Sequence, residues 1–302
     1  MYNTPILFLI FSRPDTTTKV FERIREIKPA KLYVAADAPR ENRPDETRRC
    51  AETRAIINRI DWPCELKTLY REKNLGCRMA VSGAISWFFE QEEYGVILED
   101  DCLPDISFFP FCEELLIKYK DDKRIGHIGG DCFFPELVTQ NQSYDFCSFA
   151  HIWGWASWSR VWKNYEVHFS YWKKYKNDKN KLNSLFTGLR EKIYFSSAIT
   201  DAINGNNGIN TWDTQYFFTL RSQHQLCIYP SVNLVTNIGL GDVNGTHTVK
   251  KDDKAHFLSK TISFPLVHPS YIVSNKAINT TTIKKFFFSY KRLIRYILKL
   301  HN

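Results

Sequence analysis

Acidic residues run out at Asp253. Beyond it there is no Asp or Glu, whereas Lys254, Lys260, Lys276, Lys284, Lys285, Lys291, Arg292, Arg295 and Lys299 are all basic. Taking these nine from the 41 Lys and Arg leaves 32 against 33 Asp and Glu, a net of −1, so the formal charge of +8 belongs to the tail. The main body carries no basic field that would point to a nucleic-acid partner. The eight cysteines (Cys50, Cys64, Cys77, Cys102, Cys112, Cys132, Cys147 and Cys227) form no CxxC pair and no close Cys/His ligand spacing. A 302-residue chain buries enough surface to do without disulfide staples, so these read as reduced thiols in a cytosolic protein. No GxGxxG follows the first apolar run and no GxxxxGK[ST] occurs, which argues against a dinucleotide oxidoreductase and a P-loop enzyme. No run reaches the roughly 18 apolar residues of a membrane span. The apolar start, Pro5 to Phe11, lacks a basic flank and a small-residue cleavage site, and fits a buried first strand better than a signal peptide. There is no internal repeat and no low-complexity linker.

What is present is an ordinary globular composition, 43% hydrophobic and 25% charged, with a high aromatic share of 15% that includes eight Trp and 22 Phe. Rings in excess suit stacking on sugar faces, but a generously packed core explains them first. The first hundred residues alternate between apolar runs and helix-like stretches. The pattern predicts strands over 5–11, 32–36, 65–70 and 95–98. Helices are expected from Asp15 or Thr16, over roughly 45–60, and from Asn74-Leu75-Gly76 to about Glu92. Alternation at this spacing means an α/β fold with a parallel, doubly wound sheet, in which ligands bind at the carboxyl ends of the strands. Ser12-Arg13, Asp37, Arg71, Lys73 and the triplet Glu99-Asp100-Asp101 all fall there. Further on, Ile125 to Gly130 reads as a strand and turn, 148–160 as a Trp-rich stretch, 179–204 and 213–223 as helical, and 225–229 and 232–235 as short strands. The simplest division is a catalytic domain over 1–255 and a basic extension over 256–302.

Three adjacent carboxylates after a buried strand repel one another, and something must offset that repulsion. A divalent cation does so directly. Hard oxygen ligands suit Mg²⁺ or Mn²⁺ bound together with substrate phosphates.

The stretch Val96-Ile97-Leu98-Glu99-Asp100-Asp101-Cys102-Leu103-Pro104-Asp105, followed by Phe108-Phe109, resembles the metal-site region of the inverting N-acetylglucosaminyltransferase family that initiates complex N-glycans, and of its bacterial relatives. Shorter matches continue through Phe8–Arg13, Asn74-Leu75-Gly76, Gly154-Trp155 and Trp212-Asp213, so that the resemblance covers most of residues 5–250. It implies a GT-A fold, a Rossmann-like mixed sheet with flanking helices. It implies that Asp101 binds Mn²⁺ bridging two donor phosphates, with Asp100 and Glu99 at the ribose or the metal's water shell. Arg13 and Asp37 would lie around the base and ribose, and Arg78 near the diphosphate or uridine. Phe11, Asn74 and Trp155 join the expected nucleotide-sugar contacts. Asp213 would be the general base, although the family pattern has a second acid directly after it and here the next residue is Thr214. As a bare residue, Asp213 reads equally as a first-turn acid of a helix.

His247 closes a Gly/Asn-rich loop that begins at Asn237. Such a loop can fold over a diphosphate and offer His247 as a second metal ligand or phosphate contact, with Asp242 the next candidate. Trp153, Trp155 and Trp158 divide between core and a sugar-stacking wall, and Gly154 would let a donor sugar approach closely.

These observations lead to an inverting glycosyltransferase. It would move a sugar, UDP-linked in donor form by the same resemblance, to a glycan or lipid-linked acceptor in surface polysaccharide synthesis. A sugar-1-phosphate nucleotidyltransferase and a catalytically inactive carbohydrate-binding protein are the alternatives. No Golgi-type anchor precedes the first strand, so the expected location is the cytoplasm, peripheral to the inner face of the membrane. That placement rests on Ile283–Leu300. Its basic residues fall within about a 120° arc of a helix, and most of its apolar residues lie opposite. The pattern is that of an interfacial helix on an anionic surface, or of a helix docked on the body with its basic face in water. On the interfacial reading, truncation at about residue 280 releases the chain from anionic vesicles, and binding of the full chain weakens as salt rises. Vesicle co-sedimentation decides the matter, and equal binding by the truncated chain would exclude the anchor.

Overall fold

A computed structural model of the chain describes residues 1–186, 188–205, 210–240 and 257–287. Strand β1 (Ile6–Ile10) is buried throughout and lies between β2 (Lys31–Ala36) and β4 (Tyr94–Glu99), parallel to both. That placement explains its unbroken Ile-Leu-Phe-Leu-Ile run, because a strand covered on both faces has no polar side. Strand β3 (Glu65–Tyr70) pairs with β2 at the edge and accordingly alternates, with Lys67 and Leu69 less exposed than their neighbours. Helix α1 (Pro14–Ile27) begins with Pro at its first position and buries Thr17, Val20, Phe21 and Ile24, a stripe at helical spacing. Helix α2 spans Pro44–Ala55, α3 Gly76–Phe89 and α4 Phe108–Lys118.

The second half of the sheet is built from β6 (Ile125–Gly129), β7 (Tyr144–Cys147), β8 (Trp155–Trp158) and β9 (Leu226–Pro230). Eight strands run in the order β3-β2-β1-β4-β8-β6-β9-β7, with β8 antiparallel to both of its neighbours. The result is the α/β mixed sheet that the resemblance implies, whereas the alternation alone predicts a parallel one, from which β7 and β8 depart by running antiparallel to their neighbours. Helices cover both faces: Trp155 stacks on Trp212 and Tyr216 at helix α9 (Asp213–Ser222), while the Trp158 indole N–H donates to the Leu116 carbonyl of α4.

Strands β7 and β8 lie where the sequence shows only loosened pattern. Each has four residues, too few for a period to register. A separate two-stranded ribbon joins β5 (Cys102–Pro104) to β10 (Val235–Asn237), so the last strand begins at Val235, three residues beyond its expected start. The 179–204 stretch is two helices, α7 (Lys179–Leu185) and α8 (Leu189–Asn204), which with α9 enclose a second, smaller aromatic core.

The segment after residue 256 does not stand apart. Ile262, Leu266 and Ile278 lie in the main core, and a bridge pairs Ser274 with Phe146 of β7. Of the expected C-terminal helix, 283–287 is described: Ile283 is buried, Phe287 stacks on Tyr194 at 4.4 Å, and Phe286 meets Phe133 at 4.9 Å. The basic residues beyond it lie outside the described residues, so the cut that spares these contacts falls after Phe287. Among the described residues no helix is long and apolar enough to cross a membrane.

Candidate active site

Strand β4 delivers its three acids to the carboxyl edge of the sheet beside the end of β1. Arg13, three residues past β1, reaches across and forks its guanidinium onto Asp100 Oδ1 and, at 2.8 Å, Asp101 Oδ2. The Phe11 amide donates to Asp100 Oδ2 at 3.1 Å. Phe11, Arg13, Asp100 and Asp101 thus form one cluster, and its compensating cation is a side chain of the same protein. Arg13, expected around the base and ribose, has its described side-chain bonds to these acids. The Glu99 side chain makes no hydrogen bond among the described residues. Burial pushes its carboxyl up to about 8, with Asp101 and Asp100 adding repulsion, Arg13 opposing it and Asp213 adding more. Burial likewise raises Asp100 to about 6, against the pull of Arg13.

A loop from the ribbon closes on this cluster. The Ile238 amide donates to the Asp101 carbonyl at 2.8 Å. Gly239 lies so close that an added Cβ would meet Asp101 Oδ2 at 2.3 Å and Arg13 Nη1 at 2.7 Å. No side chain fits there. Asp242 and His247, further along this loop, lie outside the described residues.

Asp37, buried at the end of β2, accepts from the amides of Leu75 and Gly76 at 3.0 Å and so caps the start of α3, while Asn74 Nδ2 donates to the Ala38 carbonyl at 2.6 Å. Both residues hold the β2 and α3 loops together. Arg78, expected near the diphosphate or uridine, donates to the carbonyls of Thr211 at 3.3 Å and Ala202 at 2.7 Å, which anchors the segment leading to Asp213. Asp213 opens α9 with Oδ1 held by the Thr211 hydroxyl and, at 2.6 Å, the Thr214 amide, while Oδ2 accepts no bond among the described residues. Its charge reaches Glu99 and Cys77, which places it on the same edge as the acids.

Trp155, expected as a nucleotide-sugar contact, lies inside the sheet. It is fully buried, with its ring 5.7 Å from Trp212 and 5.5 Å from His127, because β8 sits inside the sheet between β4 and β6. Trp158 is buried too, and Trp153 alone of the three is half-exposed at the edge. Gly154, at φ +68°, packs against Val235 and Leu98. Two residues that no motif marked, Asp131 and His151, are buried at the same edge. A cavity of about 570 Å³, lined by Ser86, Phe89, Glu90, Trp162 and Tyr165 among others, holds none of the expected site residues.

The residues fit a divalent cation only in a particular way. Among the described residues no three His, Cys, Asp or Glu side chains are grouped to hold a metal. Asp101 Oδ1 is a hard oxygen outside the Arg13 fork, contacted by the Cys102 thiol at 3.5 Å. One or two carboxylates suffice for an ion that takes its other ligands from water and substrate phosphates.

No protein-family model matches the chain, and no curated protein matches it. Solved structures resemble it distantly. S. aureus TarS 1-349 is 9% identical over 85% of this chain and 77% of that one, with a TM-score of 0.39. HddC from Yersinia pseudotuberculosis is 9% identical over 56% of this chain and 83% of that one, at 0.35. A UDP-glucose pyrophosphorylase complexed with UDP-glucose is 11% identical over 53% of this chain and 78% of that one, at 0.33. At this distance the similarities assign no activity.

The Arg13 fork generates a prediction. A carboxyl whose folded value lies above its unfolded one favours folding when protonated, so stability falls as pH rises from the unfolded values of 3.8 and 4.5 toward the folded values of about 6 and 8. Arg13→Ala removes the opposing charge and raises both further. The variant should lose about 3 kcal/mol at neutral pH, the low end for breaking a buried pair because the guanidinium keeps some solvent. Its melting temperature should drop more between pH 5 and pH 8 than that of the unchanged protein. Equal pH dependence would show that Arg13 is not the compensating cation.

Proposed function

We propose that this chain is an inverting, GT-A-type glycosyltransferase that uses a nucleotide-diphosphate sugar, UDP-linked by the resemblance, with Mn²⁺ or Mg²⁺. The observation that carries the reading is the meeting of an arginine-compensated acid cluster at the end of β4 with a separate carboxylate, Asp213, whose second oxygen is uncommitted. A single in-line displacement needs these two parts. One holds a leaving diphosphate, and the other takes the acceptor hydroxyl's proton as that oxygen attacks the anomeric carbon.

Asp213 suits the proton-accepting role. Thr211 and Thr214 fix one oxygen and so aim the other. Arg13, at the junction of β1 and α1, stands where the diphosphate would gain charge. A divalent cation bound through Asp101 would supply further neutralisation of that leaving group. Asp37 and Asn74 shape the neighbouring loop at the end of β2, where the nucleoside would lie. The acceptor in this reading is a glycan or lipid-linked sugar, and the basic tail would keep the enzyme at the inner face of an anionic membrane.

A nucleotidyltransferase is disfavoured by the loop after β1. Helix α1 starts at Pro14, with only Phe11, Ser12 and Arg13 between it and Ile10, which leaves no glycine-rich turn to wrap a nucleoside triphosphate.

The test is transfer and donor hydrolysis across a panel of UDP-sugars with Mn²⁺. Asp213→Asn should lower turnover by roughly 10²–10⁴ while donor affinity stays within a few-fold, since loss of a general base acts on the transition state. Asp101→Ala should abolish the Mn²⁺ dependence of UDP binding by calorimetry. A fully active Asp213→Asn enzyme, or product that retains the donor's anomeric configuration, would overturn the mechanism. Pyrophosphate release from UTP and a sugar 1-phosphate would replace it with nucleotidyl transfer.

A further inference from the structure

Two buried polar atoms at the sheet edge have no partner among the described residues. Asp131 is 1% exposed and His151 7%, and among the described residues neither Asp131 Oδ1 nor His151 Nε2 makes a hydrogen bond. The pair face each other, with His151 Nδ1 3.6 Å from Asp131 Oδ2, too far for a hydrogen bond. Folded proteins rarely leave such atoms unsatisfied, and each case calls for an explanation. Around these two the fold is otherwise thorough. The Cys132 amide donates to Asn233 Oδ1, the Phe133 and Phe134 amides to the Tyr229 hydroxyl, and the His151 carbonyl is met by His127 Nε2 at 2.9 Å. Loose packing is therefore not the reason.

Their position supplies one. Asp131 lies two residues past β6, and His151 lies in the loop entering β8. The Gly130 amide bonds the Gly154 carbonyl at 2.8 Å, and Gly154 packs on Leu98, directly before Glu99. The charge of Asp131 reaches Cys102 together with those of Asp101 and Glu99. In the order β2-β1-β4-β8-β6, the end of β4 is two strands from Asp37 and two strands from Asp131. With strands about 4.8 Å apart, each step of two is about 10 Å. A ligand with its nucleoside over β2 and its diphosphate at β4 therefore carries its sugar, or meets its acceptor, over β8 and β6.

The chemistry is that of a neutral sugar. A carboxylate accepts from a hydroxyl, and an imidazole nitrogen can donate or accept. The acid repels anions, and two side chains are too few for a metal cage. Beside the pair, the ring of Phe133 is 5.1 Å from His151 and 5.0 Å from Trp153, which gives a half-exposed aromatic rim for the C–H face of a pyranose. We propose that Asp131 and His151, rimmed by Phe133 and Trp153, form a pyranose subsite that hydrogen-bonds two sugar hydroxyls beside the diphosphate position. This subsite rests on the nucleotide-sugar reading above.

The test uses the full chain with Mn²⁺ and three probes: UDP, UDP-glucose with UDP-N-acetylglucosamine, and the methyl glycosides of glucose, galactose and N-acetylglucosamine. Calorimetry reads the nucleotides and saturation-transfer NMR reads the glycosides. Asp131→Asn and His151→Gln should bind UDP within about twofold of the unchanged protein. If the subsite holds the donor's sugar, they should bind the matching UDP-sugar at least about tenfold more weakly, because an unpaired polar contact discriminates strongly. If it holds the acceptor, UDP-sugar affinity stays and glycoside saturation transfer disappears. Either outcome supports the subsite. Folded variants that bind every probe as the unchanged protein does would overturn it. So would an unchanged protein that binds UDP-sugars no better than UDP and gives no glycoside signal. Should the buried substitutions unfold the chain, Phe133→Leu and Trp153→Leu at the rim are read by the same criteria. Glycoside binding lost in the variants of a chain that never binds UDP would keep the subsite and remove the nucleotide reading.

Discussion

Three successive carboxylates at the end of a buried strand repel one another, and the charge that lets two of them stay comes from Arg13. Its guanidinium forks onto Asp100 and Asp101, while the Phe11 amide takes the remaining oxygen of Asp100. The exits of β1 and β4, already neighbours through the sheet, are thereby tied a second time by charge. A helix and a loop both take their places from this tie. Pro14 starts α1 one residue after Arg13, so the helix and the ion pair fix each other's position. The loop after β10 lies on the paired acids, with the Ile238 amide on the Asp101 carbonyl and Gly239 against the guanidinium. A planar, permanently charged fork suits this geometry, which a lysine could meet at only one carboxylate.

A second constraint is steric. Gly130 and Gly154 meet backbone to backbone, and Val235 of the ribbon packs against both, so a Cβ on either glycine would strike it within 3 Å. The ribbon can therefore approach the main sheet closely enough to carry Gly239 to Asp101. Glycine is required at Gly154 on two grounds, since its φ of +68° is also costly for any side chain. The same close approach stacks the β6 and β8 loops together and leaves Asp131 and His151 enclosed between them.

The parallel half of the sheet was readable because strands buried on both faces appear as unbroken apolar runs, and β1 and β4 are such runs. The acids at the end of β4 were readable for the same reason: charge directly after such a run is conspicuous. The partner of those acids was not, because a sequence shows repulsion among Glu99, Asp100 and Asp101 but not which cation lies nearest. A metal and an arginine answer the same electrostatic need, and only the adjacency of β1 and β4 brings Arg13 forward. Trp155 illustrates the converse. A large ring suits a sugar wall or a core equally, and its burial follows from pairing between Ile97 and Gly129, which four residues of strand cannot announce. Asp131 and His151 stand twenty positions apart in two loops, so no spacing connects them before the fold does.

Thr214 stands where the related pattern carries a second acid, and its contacts show what the exchange does. Its amide and hydroxyl both lie on Asp213 Oδ1, at 2.6 and 3.3 Å, and the Thr211 hydroxyl joins them. Donors that converge on one oxygen fix the carboxylate's orientation and leave the other oxygen without a partner among the described residues. A carboxylate at 214 would instead add a negative charge beside Asp213, on an edge where Glu99 already feels Asp213 and is itself driven up. Two acids there would share a proton, and neither would be a dependable acceptor at neutral pH. With threonine, one carboxylate is aimed from the start of α9, and the departure from the family pattern is compatible with a single proton-accepting group.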